Sequence, residues 1–204
     1  MQRAVEYYAS IIEDELIKGG LSGGFCISAT RVAVDVLHTL GIRAVPLSVS
    51  LFVLNPPLIA RLRNHGRLPD TARELDQWNA EDGSCLHVIG GGGSEPGVWP
   101  GHLVTVVEGA WMIDLALKQA ELRERGVQVP GFLVWPASKK FLRGQEPLSL
   151  ATAGQAGLIY EAKPRDSSYH TAPLWNRKSE SARIVRRILD RLGARPGPRL
   201  ERYS

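Results

Sequence analysis

Cys26 is the first residue of this chain whose type and setting could do chemistry. It follows Gly23, Gly24 and Phe25, at the predicted start of a helix near Phe25 or Cys26. Unpaired amide N–H groups and the positive end of the helix dipole favour a thiolate at such a place. The two glycines let the backbone approach a substrate closely and could leave amides free as oxyanion donors. The plainer reading is a small buried hydrophobe that happens to open a helix. Alone, the cysteine does not decide between them.

A thiol nucleophile needs a base, and the chain offers five histidines. His38 falls on the polar face of the helix that Cys26 opens, and His65 and His170 lie in polar connections. His87 and His102 both fall at strand positions. His102 has the stronger claim, because the run from His102 to Asp114 reads as a β-hairpin. With Val107, Glu108 and Gly109 as a three-residue loop and Gly109 left-handed, Val106 pairs with Ala110, and His102 then stands directly opposite Asp114. A carboxylate there fixes the imidazole tautomer and stabilises the imidazolium. A two-residue loop would turn the pair onto opposite faces, and His87 would become the alternative base. An ordinary cross-strand pair is the plainer reading of His102 and Asp114.

These residues resemble a known group. Gly23-Gly24-Phe25-Cys26, then Leu40-Gly41-Ile42 and a strand, is similar to the nucleophile segment of the transglutaminase-like superfamily. The Gly-Gly-aromatic-Cys start is most similar to that of arylamine N-acetyltransferases. His102 opening a strand, a turn at Gly109, and Trp111-Met112-Ile113-Asp114 resemble the His and Asp segments of the same group, in the same order. The likeness covers about residues 22–50 and 100–116, roughly a quarter of the chain. Ile27-Ser28-Ala29-Thr30 and Leu115-Ala116-Leu117-Lys118 depart from the polar and glycine-rich stretches of the acetyltransferases. The resemblance implies a papain-like core, with the nucleophile at the N-terminus of a helix packed on an antiparallel sheet bearing His and Asp. It implies attack of a thiolate on an acyl carbon, with Cys26 as nucleophile, His102 as base and then acid, and Asp114 orienting the ring.

The elements that must position these residues follow from the hydrophobic pattern. Arg3 to about Lys18 reads as a helix with Val5, Tyr8, Ile12 and Leu16 on one face. In the second helix Ala29, Ala33, Val36, Leu37 and Leu40 share a stripe, and Gly41 ends it. A strand follows over Ala44 to Leu54. Pro56-Pro57 is expected to break the chain, with Arg61 to Leu68 a polar connection. Thr71 and Glu74 have the form of a capping box opening a helix through Trp78. Strands are expected at Cys85–Ile89, Leu103–Val107, Ala110–Leu115, Phe132–Trp135 and Leu158–Ala162, and a last helix over Arg177–Leu192. The class is α+β with an antiparallel sheet.

At 204 residues, 44% hydrophobic and 23% charged, the chain has the composition of an ordinary globular domain. That excludes collagen, a coiled coil and a wholly disordered chain. Residues 1–162 read as the catalytic domain and 163–204 as a basic helix with a mobile tail (from Gly193). The C-terminal segment carries +7 and the rest −3, so the net +4 belongs to an appendage and argues only weakly for nucleic acid. An acidic partner for the basic segment is the alternative to a solvated helix face. Met1 to Glu6 has no signal-peptide core, and no apolar run nears the roughly 20 residues of a membrane span. With only Cys26 and Cys85, reduced thiols in a cytoplasmic protein are expected. Cys85 and His87 share a strand face, but two ligands do not make a metal site, and no metal is expected. Gly90-Gly91-Gly92-Gly93 lacks the lysine of a phosphate loop and reads as a connection, or as a lid bringing Trp99 over the acyl site.

The expected function is thiol-dependent acyl transfer through a thioester, with an amine or water as acceptor. Phe25, Trp99 and Trp111 are the candidate substrate contacts, although Trp111 also suits the hairpin core. No cofactor is required, and an acyl-CoA or another acyl thioester would serve as donor. The alternatives are a cysteine peptidase, amidase or deamidase of the same fold, and a non-catalytic binding protein that works through its basic C-terminal segment.

Overall fold

The valine- and leucine-rich run Ala44–Leu54 forms β1, the strand around which the rest assembles. The computed structural model describes residues 1–20, 26–90, 99, 101–152, 156–176 and 178–194. Among these, two helices come first, α1 (Gln2–Lys18) and α2 (Cys26–Thr39). After β1 come α3 (Pro56–His65), α4 (Ala72–Asp82), β2 (Leu86–Ile89), β3 (His102–Val107) and β4 (Trp111–Asp114). Then follow β5 (Leu133–Pro136), α5 (Lys139–Leu142), β6 (Leu148–Thr152), β7 (Ala156–Ala162), α6 (Pro173–Asn176) and α7 (Lys178–Arg191). The seven described strands form one antiparallel sheet ordered β5-β4-β3-β1-β7-β6. β2 extends the β3 side, pairing with Leu51–Leu54 of β1 while β3 pairs with Ala44–Val49. The class is α+β.

The sheet buries both faces, which is why most of β1 is inaccessible rather than alternating. One face receives α1 and α2, through Val5, Ala9, Val34 and Leu37 against Ala44, Val107, Ile113 and Val134. The other is filled by the chain that follows β4, with Leu117, Ala120, Val127, Val129 and Phe141 packed on Val49, Leu51, Val104, Met112 and Tyr160. The outermost strands β5 and β6 both line one cavity of about 580 Å³, between Leu133 and Trp135 on one side and Leu150 and Ala151 on the other. The sheet therefore curls toward closure. No helix among the described residues is long and apolar enough to cross a membrane.

Three sequence expectations are corrected here. Pro56-Pro57 does not break the chain but opens α3, where two missing N–H groups cost nothing, and Asn55 caps the helix by accepting from Leu58 N at 3.1 Å. Strand β6 went unread because its partner β7 starts only four residues later. In the hairpin, Val107 pairs with Trp111 and Val106 with Met112, not with Ala110. The loop is Glu108–Ala110, because Glu108 (φ 51°) as well as Gly109 (φ 61°) takes the left-handed conformation. Glu108 is held there by Arg43, since its amide donates to Arg43 O and its carboxylate accepts from Arg43 N, each at 2.8 Å. Continuing that register sets Asp114 opposite Val104, one step along the same face from His102. The pair is diagonal, not direct.

Candidate active site

Helix α2 brings Cys26 to the start of β3 by a matched spacing. Cys26 Sγ lies 3.9 Å from Gly101 O, and one helical turn later Thr30 Oγ1 donates to Leu103 O at 3.0 Å. Four helical residues rise about 6 Å and two strand residues about 6.6 Å, so both contacts fit with helix and strand side by side. His102 lies between Gly101 and Leu103, and its imidazole is within hydrogen-bonding reach of the sulfur.

The imidazole is fully buried, and its Nε2 meets Asp114 Oδ2 at 2.7 Å. Two other groups satisfy the buried carboxylate. Tyr160 donates its hydroxyl to Oδ2 at 2.9 Å, and Ala116 N donates to Oδ1 at 3.0 Å. A carboxylate taken from water needs such donors to stay charged. Burial alone would push the His102 imidazole down. The Asp114 carboxylate outweighs that and, with smaller help from Cys26, holds it up at about 10. Burial, reinforced by the Asp114 charge, raises the Tyr160 hydroxyl well above its ordinary value. The network thus favours an imidazolium beside a sulfur.

Asp114 fixes Nε2, which leaves Nδ1 as the nitrogen free for proton exchange. The Gln119 carboxamide contacts that Nδ1. Gln119 sits on the 3-10 turn Leu117–Ala120, whose end residues are fully buried. Beside the sulfur lies an apolar cluster of Cys26, Ile27, Leu103, Ala116, Tyr169 and Ala172, with Trp99 and Trp175 packed against it. The Trp99 ring rests on Gly101, where any Cβ would collide with it, and its Nε1 donates to Ser168 Oγ at 2.9 Å. Trp175 is edge-on to Tyr169, with the Arg31 guanidinium 5.1 Å from its ring centre.

Cys26, His102, Asp114 and Trp99 therefore gather at one place. Trp111 packs instead with Val107 and Ile113 among the residues facing α1, and Phe25 lies outside the described residues. His87 is on β2 opposite Val53, and burial lowers its imidazole. Cys85 is a buried free thiol whose contact is Arg125 Nη1 at 3.6 Å. Among the described residues no three His, Cys, Asp or Glu side chains gather as a metal site would require. Sequence reading missed Tyr160 and Gln119. Tyr160 carried one usable signal, a single hydroxyl on the inward positions Leu158 and Tyr160 of a buried strand. Gln119 carried none. Compared with protein-family models, curated proteins and solved structures, the chain matches none.

Proposed function

We propose that this chain is a thiol acyltransferase with a transglutaminase-like, papain-like core, in which Cys26, His102 and Asp114 act as a triad. The observation that carries the reading is the bond from His102 Nε2 to the buried Asp114 carboxylate, with the ring beside a cysteine at the first turn of a helix. In this reading His102 Nδ1 takes the thiol proton and Asp114 holds the ring and balances its charge. The thiolate then attacks the carbonyl of an acyl thioester such as an acyl-CoA. The leaving thiolate takes the proton, and an amine or water later resolves the enzyme thioester. The apolar cover of Trp99 and Tyr169 supports transfer over hydrolysis, since a site that sheds water lets a thioester last. A binding role for the basic helix has less support, because Arg187 and Arg191 are already paired with Glu15 and Asp14.

Iodoacetamide labelling read by peptide mass spectrometry tests this, with Cys85 as internal reference. At pH 7 Cys26 is expected to label at least about tenfold faster than Cys85, a difference of about 1.4 kcal/mol in barrier. His102→Ala removes that advantage. Equal labelling of the two cysteines, or indifference to His102→Ala, rejects the triad.

A further inference from the structure

The Gln119 carboxamide touches the one ring nitrogen that is free to exchange a proton with Cys26, while the sulfur itself rests 3.9 Å from Gly101 O. With Nε2 protonated toward Asp114, a neutral ring has a single lone pair, on Nδ1. The Gln119 amide N–H and the Cys26 thiol compete for it. In the imidazolium the same nitrogen is a donor, and the carboxamide oxygen, turned inward, competes with the thiolate instead. In both protonation states the side chain competes with the sulfur for His102.

Chemistry locates the occupied position. The tetrahedral carbon on Sγ carries an oxyanion, the acyl group, and the group that leaves or attacks. Only that last group exchanges a proton with the imidazole, so whatever sits on Nδ1 in the resting protein stands where the leaving group or acceptor must stand. Gln119 is therefore on the acceptor side and not in an oxyanion hole. Its backbone is fixed, since Gln119 N donates to Ala116 O at 3.1 Å and Leu117 and Ala120 are buried on either side. The carboxamide can move while the turn stays.

Resting on the thiol acyl-transfer reading, we propose that Gln119 caps the acceptor subsite, and that the incoming amine or water must displace its carboxamide from His102 to react. In that step the acceptor's nitrogen or oxygen bonds to the acyl carbon as the C–Sγ bond breaks. The acceptor's proton passes to Nδ1 and from there to the departing sulfur. The subsite admits small hydrogen-bonding nucleophiles able to replace a primary carboxamide, and a primary amine is the closest match.

Two probes test the cap, iodoacetamide for the free thiol and p-nitrophenyl acetate for acyl turnover. Gln119→Ala is expected to raise both rates by up to about tenfold, the worth of one neutral hydrogen bond. Gln119→Glu, which puts a carboxylate against Nδ1, is expected to lower both. A residue that only props the turn would give losses with Ala, so a gain on truncation separates the two roles. Unchanged or slower rates in Gln119→Ala overturn the cap, even if His102→Ala still slows labelling and the triad stands. Labelling indifferent to both substitutions removes the triad and the cap together.

Discussion

At the scale of residues, the unusual feature is a carboxylate, an imidazole and a phenol that share one hydrogen-bonded network inside an apolar layer. The network has a pH signature. In the fold His102 is held up at about 10, whereas in the unfolded chain it titrates at about 6.5. A raised folded value means the contribution to stability is fully present below about pH 6.5 and is lost as pH climbs toward 10. Wild type should therefore lose melting temperature between pH 7 and pH 10 more steeply than His102→Gln. Tyr160 does not blur that window, since its linkage begins only above its ordinary value of about 10. Parallel profiles would mean that His102 is neutral in the fold. Of this network the sequence discloses His102 and Asp114, because hairpin parity is local and twelve residues separate them. Tyr160 is 46 residues from Asp114, and only the finished sheet joins them.

At the scale of elements, the instructive case is the segment that sequence patterning read as broken. Asn55 is buried, and its side chain makes four bonds. Its Oδ1 accepts from Leu58 N and Cys85 N, and its Nδ2 donates to Gly83 O and Arg125 O. One side chain thus caps α3, anchors the start of β2 and holds the 3-10 turn Arg123–Arg125. Asn55→Ala should destabilise the fold by about 2–4 kcal/mol, more than an ordinary cap at about 1 kcal/mol, because it leaves buried backbone groups unpaired. Urea denaturation measures it, and a loss below about 1 kcal/mol would reduce Asn55 to a cap. The capping box at Thr71 was legible because its bond, Glu74 N to Thr71 Oγ1 at 3.1 Å, is local. Asn55 was not, since three of its four partners lie 28 to 70 residues away. The hairpin register failed for a related reason, as Arg43, just ahead of β1 and 65 residues away, holds Glu108 left-handed.

At the scale of the whole molecule, the question is what holds the basic C-terminal helix. α7 presents Ile184, Ile188 and Leu189 to the layer formed by Ile12, Leu16, Ala29, Val32 and Ala33 of α1 and α2, so it packs on the helix that carries Cys26. Two of its arginines face α1 as well: Arg187 Nε lies 3.1 Å from Glu15 Oε2, and Arg191 pairs with Asp14 and Glu15. The sequence discloses the +7 of this segment but not its partners, since Asp14 and Arg191 stand 177 residues apart. Burial and charge predict different costs. Ile188 is fully inaccessible, so Ile188→Ala should cost about 2–5 kcal/mol. Arg191 is exposed, where water and salt screen such pairs, and Arg191→Ala should be nearly neutral and insensitive to added salt. Paired urea titrations at low and high salt decide between them. A larger loss from Arg191→Ala than from Ile188→Ala, vanishing in salt, would mean that α7 is clamped by charge. The expected order means that its apolar stripe seats it and that removing α7 would unseat α2, and Cys26 with it.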